Sequence, residues 1–201
     1  MAKRETSYEL WLKEEGIPVL GGYGVEDVTR LPLKPWKRTG GKGAYIDLKG
    51  MEGFTGMYVC EIPPGGALQP ENHLYEELVY IVKGVGATEI WSAGDEQRKM
   101  HFEWQQGSLF AVPLNTRHRM INCSNEPVFF LAVTSAPLMT AISGNTHQIP
   151  IALCQLKSRA LPVACRHRGR LTAVTAAVVH RRGIQRYRPL RTRNKKARIE
   201  A

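Results

Sequence analysis

The chain has 201 residues and a formal net charge of +10. This length allows one well-packed core, or a medium-sized domain with an appendage. No apolar run approaches the roughly 18 to 20 residues of a membrane helix, and the first 16 residues show no signal-peptide pattern. The four cysteines lack the spacing of a disulfide framework or zinc knuckle, so we expect a cytoplasmic protein with reduced thiols and no membrane contact.

The N-terminal region, residues 1–42, is predicted to contain a short helix followed by an extended arm. Thr6 and Glu9 have the spacing of a capping box, and Gly16 suits the C-terminal stop of a helix. Residues 17–42 are rich in glycine and proline, with Trp36 as the obvious anchor. This pattern indicates an arm that lies over a body and is not a domain of its own.

Residues 43–137 are typical of an all-β domain. Short runs of β-type residues alternate with turn residues, and no helical period interrupts them, which favours a sandwich or barrel over a βαβ fold. The predicted strands cover residues 44–48, 57–62, 77–82, 87–92, 99–104, 108–113, 118–123 and 128–135.

The C-terminal region, residues 144–201, has a different composition. It contains 14 Lys and Arg and one acidic residue, whereas residues 1–143 contain 14 Lys and Arg and 17 Asp and Glu. The positive charge of the chain therefore belongs to this tail. We predict that the tail is disordered or of out-of-frame origin. A basic arm that binds nucleic acid and a small folded element are the alternatives.

Three side chains in the β region form a candidate metal site. His73 and Glu77 lie four residues apart, and His118 follows the predicted strand that ends at Pro113. Two imidazoles and a carboxylate suit Fe, Mn, Ni or Zn as divalent ions and leave coordination positions open. If residues 71–77 are extended, Glu71, His73 and Glu77 share one face of a strand.

The same stretches resemble the two signature motifs of the cupin superfamily, which are small β-barrels of the jelly-roll type. The first motif, G-x5-H-x-H-x3/4-E-x6-G, can be laid on Gly65, Glu71, His73, Glu77 and Gly84. The second motif, G-x5-P-x-G-x2-H-x3-N, is matched by Gly107, Pro113, Asn115, His118 and Asn122. The resemblance spans about residues 43–137 and implies a cupin jelly-roll barrel with a metal in its mouth.

Two positions depart from the family pattern. Asn115 stands where the family has glycine, and Asn tolerates the left-handed backbone that glycine provides. Glu71 stands where the family has its first histidine, so one imidazole is missing. We consider Glu71 a fourth metal ligand or a catalytic general base, with an exposed residue at the rim of the barrel as the alternative.

Three functions compete at this point. The leading one is a metal-dependent enzyme of small-molecule metabolism; the second is a non-catalytic small-molecule-binding or accessory cupin without metal. The third is nucleic-acid association through the tail. The N-terminal half also resembles bacterial cupin proteins that are sometimes labelled ethanolamine ammonia-lyase activating protein. The arm and an exposed sheet edge make us expect a homodimer.

Overall fold

The computed structural model describes residues 5–92 and 94–143. The predicted basic tail, residues 144–201, and its proposed contact with nucleic acid lie outside the described residues. Within the described ranges, no helix is both long enough and apolar enough to cross a membrane.

The first element is the predicted helix, α1 (Ser7–Glu15). The Thr6 side chain accepts a hydrogen bond from the Glu9 backbone N–H, and the Glu9 carboxylate accepts one from the Thr6 backbone, so the capping box is complete. Gly16 ends the helix with φ 69°, a left-handed conformation that costs glycine little. The prediction of an N-terminal helix is confirmed.

The arm between α1 and the barrel holds β1 (Val19–Gly22), a short 3-10 helix (Val28–Arg30) and β2 (Lys34–Pro35). The eight strands that follow are β3 (Lys42–Leu48), β4 (Gly56–Ile62), β5 (Glu77–Lys83), β6 (Val85–Ser92), β7 (Met100–Gln105), β8 (Leu109–Val112), β9 (Thr116–Asn122) and β10 (Val128–Thr134). A last helix, α2 (Ala136–Ser143), packs beside α1. The eight predicted strands are all present, whereas β1, β2 and α2 were not predicted.

The strands of the described residues form two sheets. The larger has the order β1-β3-β4-β10-β5-β8, with β2 paired to β3, and the smaller has the order β7-β6-β9. Neighbours within these sheets are antiparallel except β1 and β3. This is the jelly-roll barrel that the sequence predicts, and its two sheets face each other across one core.

An aromatic column fills part of that core and joins the arm to the barrel. Trp36, only 1% exposed, contacts Tyr45 and Tyr58 edge to face, with ring centroids 5.3 and 5.1 Å apart. Tyr58 contacts Phe130 in the same way at 6.0 Å. The predicted anchor of the arm is therefore buried inside the barrel, where a Trp-to-Ala change typically costs about 3–5 kcal/mol.

Another part of the arm covers the outer face of the larger sheet. Val25, Leu31 and Leu33 pack on the buried side chains of Ile46 and Met57. The arm thus contributes to two apolar clusters, one inside the barrel and one outside it. Residues 17–35 are held by this packing and by the pairing of β1 and β2 with β3.

Candidate metal centre

The alternation of β5 places Glu77 in the barrel interior. Glu77, Val79 and Ile81 are buried, whereas Leu78 and Tyr80 face outward. This is the two-residue period of a strand with one face on the core. Glu77 is only 3% exposed, although a carboxylate at the start of a strand is ordinarily solvated.

The turn between β8 and β9 places His118 opposite Glu77. Asn115 in this turn has φ 58°, the one left-handed non-glycine conformation among the described residues, as its place in the second motif predicts. From there β9 alternates, so that Thr116, His118 and Met120 point inward. His118 is 3% exposed.

His73 lies on a loop and not on a strand, because β5 begins only at Glu77. The extended face that the sequence predicts for residues 71–77 is limited to one isolated bridge between Glu71 and His118. Three contacts fix His73 instead. Its ring stacks on Tyr75 at 3.9 Å, its Nδ1 lies 2.9 Å from the Tyr75 carbonyl, and its own carbonyl accepts the Asn115 N–H at 3.1 Å.

The donor atoms of His73, Glu77 and His118 all lie within 4.8 Å of one another. The Nε2 atoms of His73 and His118 are 3.2 and 3.5 Å from Oε2 of Glu77. Both Nδ1 atoms face backbone carbonyls, that of Tyr75 at 2.9 Å and that of Thr116 at 3.5 Å. An N–H at Nδ1 leaves the Nε2 lone pairs directed at the centre, which is the outer-sphere arrangement of histidine metal ligands.

Charge and burial have opposite effects on the pKa values of Glu77 and His118. Burial favours a raised pKa for Glu77, but hydrogen bonds and charge from His118 and His73 hold that pKa well below its usual range. Burial likewise favours a lower pKa for His118, yet the hydrogen bond and charge of Glu77 raise it. A divalent cation would stabilise the Glu77 carboxylate in the same way as these partners do.

The sequence gives no signal for Tyr58 as a part of the site, beyond its aromatic character on a strand of uncertain parity. Its hydroxyl donates to Oε1 of Glu77 at 2.5 Å, inside the barrel. Burial first, and then the neighbouring Glu77 charge, raises the pKa of Tyr58 well above its usual value. The phenol therefore remains a proton donor, and it occupies one oxygen of Glu77 while the histidines face the other.

Glu71 lies beside this group but is not a member of it. Its backbone N–H donates to the His118 carbonyl, and its backbone carbonyl accepts the His118 N–H, both at 2.9 Å. Its side chain is only 12% exposed and forms an ion pair with Nη1 of Arg38. Burial raises the pKa of Glu71 while the Arg38 charge lowers it. The structure thus places Glu71 in the interior, near the site, and its role as ligand or base stays a prediction.

The space next to Glu77 and His118 is small. A cavity of about 10 Å³, enough for about one water molecule, is lined by Tyr58, Glu71, Glu77 and His118 among others. Any larger ligand requires some of these walls to move. His101 is exposed on β7 and does not line this cavity, and the remaining three histidines of the sequence lie outside the described residues.

With this geometry established, the match to a known family is informative. Residues 58–134 match the family model of the cupin domain. This chain therefore contains a cupin domain. The matched residues run from the third residue of β4 to the end of β10 and include His73, Glu77 and His118. No curated protein matches the chain.

Solved structures that resemble the cupin domain are distant. The oxalate decarboxylase of Lactobacillus farciminis, in a formate complex, is 24% identical with a TM-score of 0.45. The match covers 53% of this chain and 31% of that chain, so this chain spans about a third of the decarboxylase. The CENP-C cupin domain of Drosophila melanogaster is 15% identical with a TM-score of 0.44, over 55% of this chain and 75% of that chain. The protein BH2720 of Bacillus halodurans is 15% identical with a TM-score of 0.41, and the match covers 49% of this chain and 71% of that chain.

Proposed function

We propose that this protein binds one divalent transition metal ion through His73, Glu77 and His118 and uses it to act on a small molecule. The observation that carries the proposal is the convergence of three buried donor atoms within 4.8 Å, each on a side chain with a hydrogen bond or contact that orients it. Two imidazoles and one carboxylate on a barrel are a donor set for Fe, Mn, Ni or Zn.

The charge of the site favours an anionic or polar oxygen ligand as the substrate. Glu77 supplies one negative charge and the two histidines bind metal in the neutral form, so a divalent ion leaves the centre with one positive charge. Three protein ligands also leave positions open for water or substrate oxygens. When bound, the ion would supply Lewis acidity, to activate water or O2 or to polarise a substrate carbonyl.

The residues around the centre have definite tasks in this proposal. Tyr58 donates to Oε1 of Glu77 and so directs Oε2 towards the histidines. The carbonyls of Tyr75 and Thr116 hold the two imidazoles in one tautomer. Glu71 also lines the cavity, and it would exchange a proton with a substrate oxygen once the walls have moved to admit the substrate.

A second candidate function is supported by one observation. Nε2 of His73 and of His118 lies within 3.5 Å of Oε2 of Glu77, and Tyr58 donates to Oε1, so with an N–H at both Nε2 atoms the same arrangement is a complete polar network without an ion. In that case the barrel is a non-catalytic small-molecule-binding or accessory cupin. The two candidates differ in metal content.

Metal analysis of the purified protein separates these candidates. The protein is stripped with a chelator, incubated separately with Fe(II), Mn(II), Ni(II) and Zn(II), desalted, and measured by elemental analysis. We expect about one equivalent of at least one metal per chain. His73→Ala and His118→Ala should each lose it, while the exposed His101→Ala serves as the matched control and keeps it. Far-UV circular dichroism checks that all three variants retain the β-sheet signal.

Absence of stoichiometric metal with all four ions would refute the metal proposal and leave the second candidate. The homodimer, the cytoplasmic location and the likeness to ethanolamine ammonia-lyase activating proteins remain predictions from the sequence. Sedimentation of the purified chain tests the first of them.

A further inference from the structure

Arg38, on the arm, connects the N-terminal helix to the metal centre. Its Nη1 donates to Oε1 of Glu71. Its Nε lies 3.0 Å from both carboxylate oxygens of Glu15, the last residue of α1. One guanidinium therefore joins a largely buried carboxylate at the end of α1 to a carboxylate at the site.

Two aromatic rings contact the Arg38 guanidinium, in addition to the two carboxylates that accept its hydrogen bonds. It lies 4.5 Å from the ring centroid of Trp36 and 5.4 Å from that of Trp11, within the range of cation–π contacts. Trp36 is itself fixed, because its indole N–H donates to Glu15 and its ring is buried in the core. These contacts together hold Arg38 in an orientation that offers Nη1 to Glu71.

Glu71 is the side chain on which this contact acts at the site. Its backbone is paired with that of His118 through two hydrogen bonds of 2.9 Å, and its side chain lines the same small cavity as Glu77 and His118. A carboxylate this close to a divalent cation would ordinarily be drawn to it. The Arg38 ion pair opposes that attraction, since it draws Oε1 of Glu71 towards the arm and weakens the whole carboxylate as a metal donor.

We propose that Arg38 is a positioning residue that holds Glu71 out of the coordination sphere, so that the protein supplies three ligands and not four. This inference rests on the proposed metal site. Its consequence is chemical: with Glu71 neutralised by Arg38, the loaded centre keeps one positive charge and one more open position than a site with two carboxylate ligands.

Cobalt(II) is a suitable probe because its visible absorption reports coordination number and ligand type. The experiment loads the full chain with Co(II) and records the spectrum, together with the affinity measured against a competing chelator. The variants are Arg38→Met, Glu71→Gln and the double variant Arg38→Met/Glu71→Gln. Lys42→Met is the matched control, because it also removes one positive charge that is paired with a glutamate, Glu61, but on the outside of the barrel.

We expect Glu71→Gln and Lys42→Met to keep the wild-type Co(II) spectrum. Arg38→Met should alter the spectrum and tighten Co(II) binding by about 10- to 100-fold, the range in which outer-sphere partners change metal affinity. The double variant should return to the wild-type spectrum, which loss of packing alone would not do.

Two results would overturn the inference while leaving the metal site intact. One is a changed spectrum or lost Co(II) in Glu71→Gln, which would make Glu71 a ligand in the wild type. The other is an unchanged spectrum in a folded Arg38→Met. If Arg38→Met does not fold, Arg38→Gln is measured in its place, with the same changed spectrum expected and the same unchanged spectrum overturning the inference. Failure of the wild type to bind Co(II) would be distinct, because it removes the proposed function and this inference together.

Discussion

Removal of one buried oxygen tests how the site is held together. In Tyr58→Phe the ring remains in the aromatic column, so no large cavity forms and packing with Trp36 and Phe130 persists. What is lost is the hydroxyl that donates to Oε1 of Glu77 at 2.5 Å. Both residues are buried, Tyr58 to 5% and Glu77 to 3% exposure, so bulk water does not reach the carboxylate when the hydroxyl is removed.

The expected cost follows from the charge of the acceptor. A hydrogen bond to a charged group contributes about 1.5–3 kcal/mol, and the uncompensated acceptor keeps its desolvation penalty. For a chain of this size, about 2–4 °C of Tm corresponds to 1 kcal/mol. The metal-free Tyr58→Phe protein should therefore unfold about 3–12 °C below the wild type, while the three candidate ligands keep their side chains.

Thermal and urea unfolding of chelator-treated protein at pH 7 measures this difference. Tyr80→Phe is the matched control, since Tyr80 lies on β5 with its side chain outward and 43% exposed, and its loss of a hydroxyl should cost less than about 0.5 kcal/mol. Equal stability of Tyr58→Phe and wild type would refute the view that this hydroxyl satisfies a buried carboxylate.

Three further predictions concern pH, packing and the tail. A metal ion must displace any proton on His118, and the pKa of His118 is raised above 6.5. Metal affinity should therefore fall by up to tenfold per pH unit as the pH drops below that raised pKa. A metal affinity that stays constant from pH 8 to pH 6 in calorimetry would contradict this prediction. Gly86→Ala should lower the free energy of unfolding, measured in urea, by about 3 kcal/mol or more, because the added Cβ would lie 2.2 Å from the Ile121 carbonyl oxygen. Gly24→Ala is the control, since no atom lies within 4 Å of its added Cβ and its stability should be nearly unchanged. A chain truncated after Ser143 should keep one cooperative unfolding transition, and an insoluble or molten product would show that the tail belongs to the fold.

Much of the barrel could be predicted from the sequence because its signals are local. Runs of β-type residues mark the strands, and turn residues such as Asn115 mark the breaks, so all eight predicted strands are present. β1 and β2 lack that signal, since they lie in a glycine- and proline-rich arm and exist through pairing with β3. α2 was missed because eight residues after the last strand carry too little helical period to be distinguished from a loop.

The sequence predicts the three candidate ligands of the site but not the contacts around them. His73, Glu77 and His118 follow a spacing that can be read from the sequence, although His73 reaches the centre from a loop held by Tyr75 and not from a strand. The contact between Arg38 and Glu71 joins residues 33 positions apart, and it depends on how the arm packs. No local pattern encodes such a contact.

The central claim is that one divalent metal lies between His73, Glu77 and His118. The most direct measurement is a crystal structure of the Co(II)-loaded protein with anomalous diffraction data collected at the cobalt edge. We predict one strong anomalous peak per chain, about 2.0–2.2 Å from the two Nε2 atoms and from a carboxylate oxygen of Glu77. A structure without a peak at this position, or with its only peak elsewhere, would contradict the account.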